Sequence, residues 1–179
     1  MLIKTIFSGF GGQGVLSMGS ALADAAMREG KYVTYLPSYG AEVRGGTANC
    51  TVSVSDEEIA SPVASVPDFV VAMNQPSFLR FQGLIQAGGL ILVNSSIVDI
   101  SSARGDIEVV EVPISELAEK LGNLKVANMV MLGAFIKVSN LISFPLLLKN
   151  LPTILGGKRA SLLKINEEAL EQGFNYVKG

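Results

Sequence analysis

Leu2-Ile3-Lys4-Thr5-Ile6-Phe7-Ser8-Gly9-Phe10-Gly11-Gly12-Gln13-Gly14-Val15 decides the fold class of this chain. Leu2 to Ser8 is rich in β-branched and aromatic residues, and after the glycines apolar residues recur at Val15, Met18, Leu22, Ala25 and Ala26. The hydrophobic period thus changes from 2 to 3.6, which reads as strand, tight turn, helix. Gly9, Gly11 and Gly14 fit G-x-G-x-x-G at the place where such a turn cradles a phosphate on the free N–H groups of a helix N-terminus. The same glycines also suit a bare, close strand-to-helix crossover, and both readings stand at this point. A dinucleotide site further needs an acidic residue near the end of the second strand, to hold ribose hydroxyls. That strand, Tyr32 to Leu36, ends in Pro37-Ser38, so NAD binding is disfavoured.

Working outward, Gly30 stops the first helix, and Thr47 to Ser55 is a third strand closed by the Asp56-Glu57-Glu58 turn. Asp68 to Met73 and Gly89 to Asn94 are short, continuous apolar runs, the pattern of strands buried on both faces. Between them Pro76 to Gln86 reads as a helix. Ile107 to Val112 is a strand, and Pro113 opens a helix through Leu121. The remainder reads as helices: Val126 to Ser139, one opening at Ser143 and Pro145, and one from Glu167 to Val177 capped by Asn166. Alternating strands and helices specify an α/β fold: a three-layer, Rossmann-like domain with a mostly parallel central sheet flanked by helices. Thr47 to Ser55 is left free to run antiparallel. With no repeat, linker or low-complexity tract, residues 1–179 are read as a single domain.

Composition excludes whole classes of chemistry. With no histidine the chain has no Ser/His/Asp or Cys/His nucleophile pair, and its one cysteine, Cys50, cannot ligate an iron–sulfur cluster. Fourteen basic residues against sixteen acidic ones, with no basic run, argue against a nucleic-acid surface. Val126 to Leu148 carries a single charge, Lys137, but Asn128, Asn140, Ser143 and Pro145 suit a buried helix and a break rather than a membrane span. The expectation is a soluble, cytoplasmic protein. Charged residues make up 17% of the chain against a usual share of about 25%, so an apolar surface buried against partner chains is expected.

A second loop, Ser38-Tyr39-Gly40-Ala41-Glu42-Val43-Arg44-Gly45-Gly46, follows the second strand, and hydrophobic patterning does not explain its glycines or its lone acid and base. Phe10-Gly11-Gly12-Gln13-Gly14 after the first strand, Tyr39-Gly40-Ala41-Glu42-Val43-Arg44-Gly45-Gly46 after the second, and the later Asn128-Met129-Val130-Met131-Leu132-Gly133-Ala134 together resemble the gamma subunit of 2-oxoacid:ferredoxin oxidoreductases. The resemblance implies an assembly that oxidatively decarboxylates a 2-oxoacid to an acyl-coenzyme A and passes electrons to ferredoxin. It places thiamine diphosphate and iron–sulfur clusters on alpha, beta and delta partner subunits, with no cofactor bound tightly by this chain. Val43-Arg44-Gly45-Gly46-Thr47 looks more like the 2-oxoglutarate and branched-chain 2-oxoacid branches than the pyruvate branch, with 2-oxoglutarate favoured.

No catalytic or metal-binding residue is expected in this chain. The candidate cofactor-contacting or interface residues are Gly9, Gly11, Gly12, Gln13 and Gly14 in the first loop, and Tyr39, Gly40, Glu42, Arg44, Gly45 and Gly46 in the second. Backbone groups and the Gln13 amide would face coenzyme A phosphates; Arg44 would add a permanent planar cation, oriented by Glu42. The alternative for the same residues is a structural loop that only docks the thiamine-binding chains. Cys50 in its strand reads as core, Asp56-Glu57-Glu58 as solvated acids, Asn128 as a cap or buried hydrogen-bond partner, and Asn74 and Gln75 as residues able to face a partner. Gly156-Gly157-Lys158-Arg159 lacks the frame of a phosphate loop and reads as a helix terminator. A homodimer is the expected fate of the isolated chain. The competing reading is a stand-alone nucleotide-binding or interaction module built on Gly9 to Gly14.

Overall fold

The computed structural model describes residues 1–39, 46–156 and 162–178, with the backbone alone at residue 39. Strands β1 (Leu2–Phe10), β2 (Tyr32–Tyr39), β3 (Thr47–Ser55), β4 (Phe69–Ala72), β5 (Leu90–Asn94) and β6 (Glu108–Val112) form one sheet in the order β2-β3-β1-β4-β5-β6. Helix α1 (Val15–Arg28) joins β1 to β2, and α2 (Gln75–Phe81) joins β4 to β5. Helices α3 (Ile114–Lys120), α4 (Ala127–Ser139), α5 (Phe144–Ile154) and α6 (Leu163–Tyr176) follow β6, with a 3-10 turn over Leu124–Val126 leading into α4.

The sheet is mixed. β1, β4, β5 and β6 pair in parallel, whereas β3 runs antiparallel to both β1 and β2. β4 and β5 carry Val70 to Ala72 and Ile91 to Val93 with no solvent exposure, which is why their sequence shows no alternation. β2 continues through Pro37 to Tyr39, where sequence reading ends it at Leu36. As the edge strand, β2 tolerates an imino residue that would interrupt a central strand.

Two cores sandwich the sheet. On one face Phe7, Cys50 and Val52 meet apolar residues of α1, α3, α4, α5 and α6; on the other, Ile6, Val70 and Ile91 meet Phe78 and Phe81 of α2. α4 is central to the larger core. Its Phe135 packs edge-on to Phe7 and Phe69, with ring centroids 5.3 and 5.7 Å apart. A helix enclosed on all sides is apolar all round, which accounts for the hydrophobic run at Val126 to Leu148. No helix among the described residues is long and apolar enough to cross a membrane.

Two further expected boundaries move. α2 stops at Phe81 rather than Gln86, because the Arg104 guanidinium takes the Gln82 and Ile85 carbonyls at 2.7 and 2.9 Å and closes the helix end. α6 begins at Leu163, so Asn166 is not its cap. It lies inside the first turn and donates Nδ2–H back to the Leu162 carbonyl. Gly156, at φ 65°, terminates α5 as expected, while Gly157, Lys158 and Arg159 lie outside the described residues.

Candidate functional site

α1 and α2 leave adjacent parallel strands on opposite faces of the sheet, so a crevice is expected at the C-terminal ends of β1 and β4, where open α/β sheets hold ligands. The first glycine loop sits on that edge. Its turn is closed by the Gln13 N–H donating to the Phe10 carbonyl at 3.1 Å. Gly9 and Gly14 are required by close packing: a Cβ on Gly9 would lie 2.6 Å from Gln13 Oε1, and one on Gly14 would strike the Asn128 side chain. Gly12, at φ 98°, is glycine for its backbone conformation, and the space around it is open.

Gln13 turns inward. Its Oε1 accepts from the Phe10 N–H at 2.7 Å and from Asn74 Nδ2 at 3.1 Å, while its Nε2 donates to the Met73 carbonyl at 3.2 Å. The side chain therefore lies across the crevice between β1 and β4 and ties their ends together. The amide expected to face a ligand is engaged within the chain. Asn74 is likewise internal rather than facing a partner: it is 2% exposed and its Oδ1 caps α2 by accepting from the Ser77 N–H at 2.9 Å. The Ser77 hydroxyl meets that of Ser8 at 2.9 Å, which extends the same buried network back into β1. Gln75 is held by a reciprocal pair of bonds with the Asp99 backbone.

The backbone of the turn keeps donors free. The Gly11 N–H is taken by the Gly46 carbonyl at 3.0 Å, but those of Gly12 and Gly14 find no acceptor among the described residues. The Gly11–Gly46 bond also brings the two sequence loops together. The second loop leaves from Tyr39, paired with Ala48, and returns at Gly46 against Gly11. Gly40, Glu42, Arg44 and Gly45 lie outside the described residues.

Asn128 is a buried hydrogen-bond partner rather than a cap, its Nδ2 donating to the Gly14 carbonyl at 3.5 Å. It also lines a cleft of about 750 Å³ between α1, β2 and the ends of α4, α5 and α6. Among the described residues, Ser17, Ser20, Asn123 and Asn166 supply its polar wall, Lys125 is its one cation, and no acid lines it. That described lining suits a ligand that is uncharged or anionic. Nothing in the sequence pattern marks this cleft, since its residues come from segments more than a hundred positions apart.

The donor set does not fit a metal or cluster. Cys50 is fully buried, its Sγ against the Val15 carbonyl at 3.7 Å, and burial pushes its thiol up to about 12. Among the described residues no three His, Cys, Asp or Glu side chains gather. In the Asp56-Glu57-Glu58 turn, a hydrogen bond from the Lys31 ammonium holds the exposed Asp56 carboxyl below the usual carboxylate range, a surface pairing rather than an acid/base site.

Comparison with known proteins supplies an independent finding. The pyruvate ferredoxin/flavodoxin oxidoreductase family profile matches residues 4–176. A ketoisovalerate oxidoreductase subunit of Methanothermobacter thermautotrophicus is 45% identical over 131 residues, covering 73% of this chain and 27% of that one. The chain thus spans about a quarter of the length of that curated relative. The gamma subunit of a keto/oxoacid ferredoxin oxidoreductase from Geobacter sulfurreducens superposes with a TM-score of 0.82 at 27% identity, covering 97% of this chain and 96% of that one. A 2-oxoglutarate:ferredoxin oxidoreductase from Magnetococcus marinus, solved with 2-oxoglutarate, coenzyme A and succinyl-CoA bound, gives 0.88 at 25% identity, over 99% of this chain and 32% of that one.

Proposed function

The chain belongs to the pyruvate ferredoxin/flavodoxin oxidoreductase family, and from that premise we propose that it is the gamma-type subunit of a 2-oxoacid:ferredoxin oxidoreductase, contacting coenzyme A and inactive alone. Alpha, beta and delta subunits are its proposed partners and ferredoxin the electron acceptor of the assembly, with self-association when the chain is isolated. Thiamine diphosphate and iron–sulfur clusters on those partners supply the carbanion and electron-transfer chemistry. This chain's own residues bind and orient. The N–H groups of Gly12 and Gly14, which find no acceptor among the described residues, and the start of α1 offer donors to a phosphate, and Arg44 adds a permanent positive charge. The adjoining cleft, with no acid among its described lining residues, has room for the uncharged parts of a nucleotide-sized ligand.

The observation that carries this reading is the Gly11–Gly46 hydrogen bond, because it brings the two loops that define the resemblance to one edge of the sheet. The acyl donor is proposed to be 2-oxoglutarate, as in the Magnetococcus structure, with ketoisovalerate the competing substrate from the Methanothermobacter relative. A panel of 2-oxoacids assayed with the assembled complex decides between them. Titrating coenzyme A against that complex with Arg44→Ala tests the site. Loss of one charge-assisted contact is expected to weaken binding about tenfold, and unchanged affinity removes Arg44 from it.

A further inference from the structure

Gln13 and Asn74 occupy the place where an open α/β sheet leaves room for a ligand, and neither amide is aimed at one. We propose that Asn74 is a positioning residue for the glycine turn and acts through Gln13, an inference that rests on the coenzyme A reading above. Asn74 uses both ends of its amide. Oδ1 fixes the first turn of α2 through the Ser77 N–H, and Nδ2 holds Gln13 Oε1 at 3.1 Å. Gln13 Oε1 in turn receives the Phe10 N–H at 2.7 Å, and Nε2 is anchored on the Met73 carbonyl at 3.2 Å. The peptide groups of Gly12 and Gly14, whose N–H donors find no acceptor among the described residues, are therefore built on a frame that begins at the N-terminus of α2.

The partners of this frame lie some sixty residues apart in sequence, and Asn74 is 2% exposed, so it meets no ligand itself. Its effect on a bound anion is exerted through the orientation of the turn. Without Nδ2–H, Gln13 can satisfy Phe10 or rotate to other partners, and the donors of Gly12 and Gly14 lose their fixed direction. The consequence falls on coenzyme A and not on the 2-oxoacid, whose chemistry is assigned to partner chains.

Asn74→Asp separates the two roles of the residue, because a carboxylate still caps α2 but offers no N–H to Gln13. Asn74→Ser keeps a capping oxygen too short to reach Gln13 and serves if the aspartate variant does not assemble. Gln13→Met fills the same crevice without any of the three hydrogen bonds. In the assembled complex each Asn74 variant is expected to raise the KM for coenzyme A about fivefold, the scale of one lost hydrogen bond, and Gln13→Met, which loses three, by more. The KM for the 2-oxoacid and kcat should stay within about twofold, with melting temperature recorded alongside. If wild-type turnover needs coenzyme A but the variants leave its KM unchanged, the positioning role is overturned while the functional reading stands. If kcat and both KM values degrade together with the melting temperature, Asn74 is structural only and the proposal fails. Should the wild-type complex turn over without coenzyme A, the functional reading fails and this inference with it.

Discussion

Cys50 shows how far a single residue can be read in advance. A cysteine alternating with apolar residues in a strand reads as core, and its side chain is fully buried between β3 and α1. Because burial lifts the folded thiol from 9.0 to about 12, the unfolded chain releases this proton first as pH rises. The unfolded state then holds fewer protons, so stability should fall across that interval. A urea midpoint series from pH 8 upward should decline more steeply for wild type than for Cys50→Ala, and the native thiol should resist a disulfide reagent at pH 8. Equal slopes, or rapid labelling of the folded protein, would contradict this burial. Gln13 was not legible in the same way. Its spacing in the turn is visible, but the groups that receive its amide, Met73 and Asn74, come from β4 and α2.

At the scale of elements, periodicity locates every strand and most helices but not the direction of β3 or the crossing of α4 with α6. The apolar sequence of α4 says that it is enclosed without saying by what. The answer lies in paired glycines: a Cβ on Gly133 would fall on the Leu170 carbonyl, and one on Gly173 on the Val130 carbonyl. The two helices thus meet backbone to backbone. Gly133→Ala is expected to cost about 3 kcal/mol by overpacking and to lower the melting temperature by about 9 °C, measured by thermal unfolding. A shift under about 2 °C would show that the helices separate freely. The early start of α6 was hidden because Asn166 has the chemistry of a cap while making an in-helix bond to Leu162.

For the whole molecule, the absence of histidine and the single buried cysteine fit a division of labour in which redox groups sit on other chains. The low charge content has a visible counterpart in Met27, Tyr32 and Leu36, at 56, 48 and 40% exposure on α1 and the edge strand β2. Composition could indicate that such surface exists; only the sheet order places β2 at an edge. The cleft was beyond sequence reading because its walls come from α1, β2 and the ends of three later helices. Reconstitution tests the account most directly: coenzyme A-dependent reduction of ferredoxin by a 2-oxoacid, followed with the alpha, beta and delta chains in the presence and absence of this one. The account predicts no activity from this chain alone and turnover only when it joins its partners. Full coenzyme A-dependent activity without it, or tight binding of NAD or FAD by the isolated chain, would contradict the account.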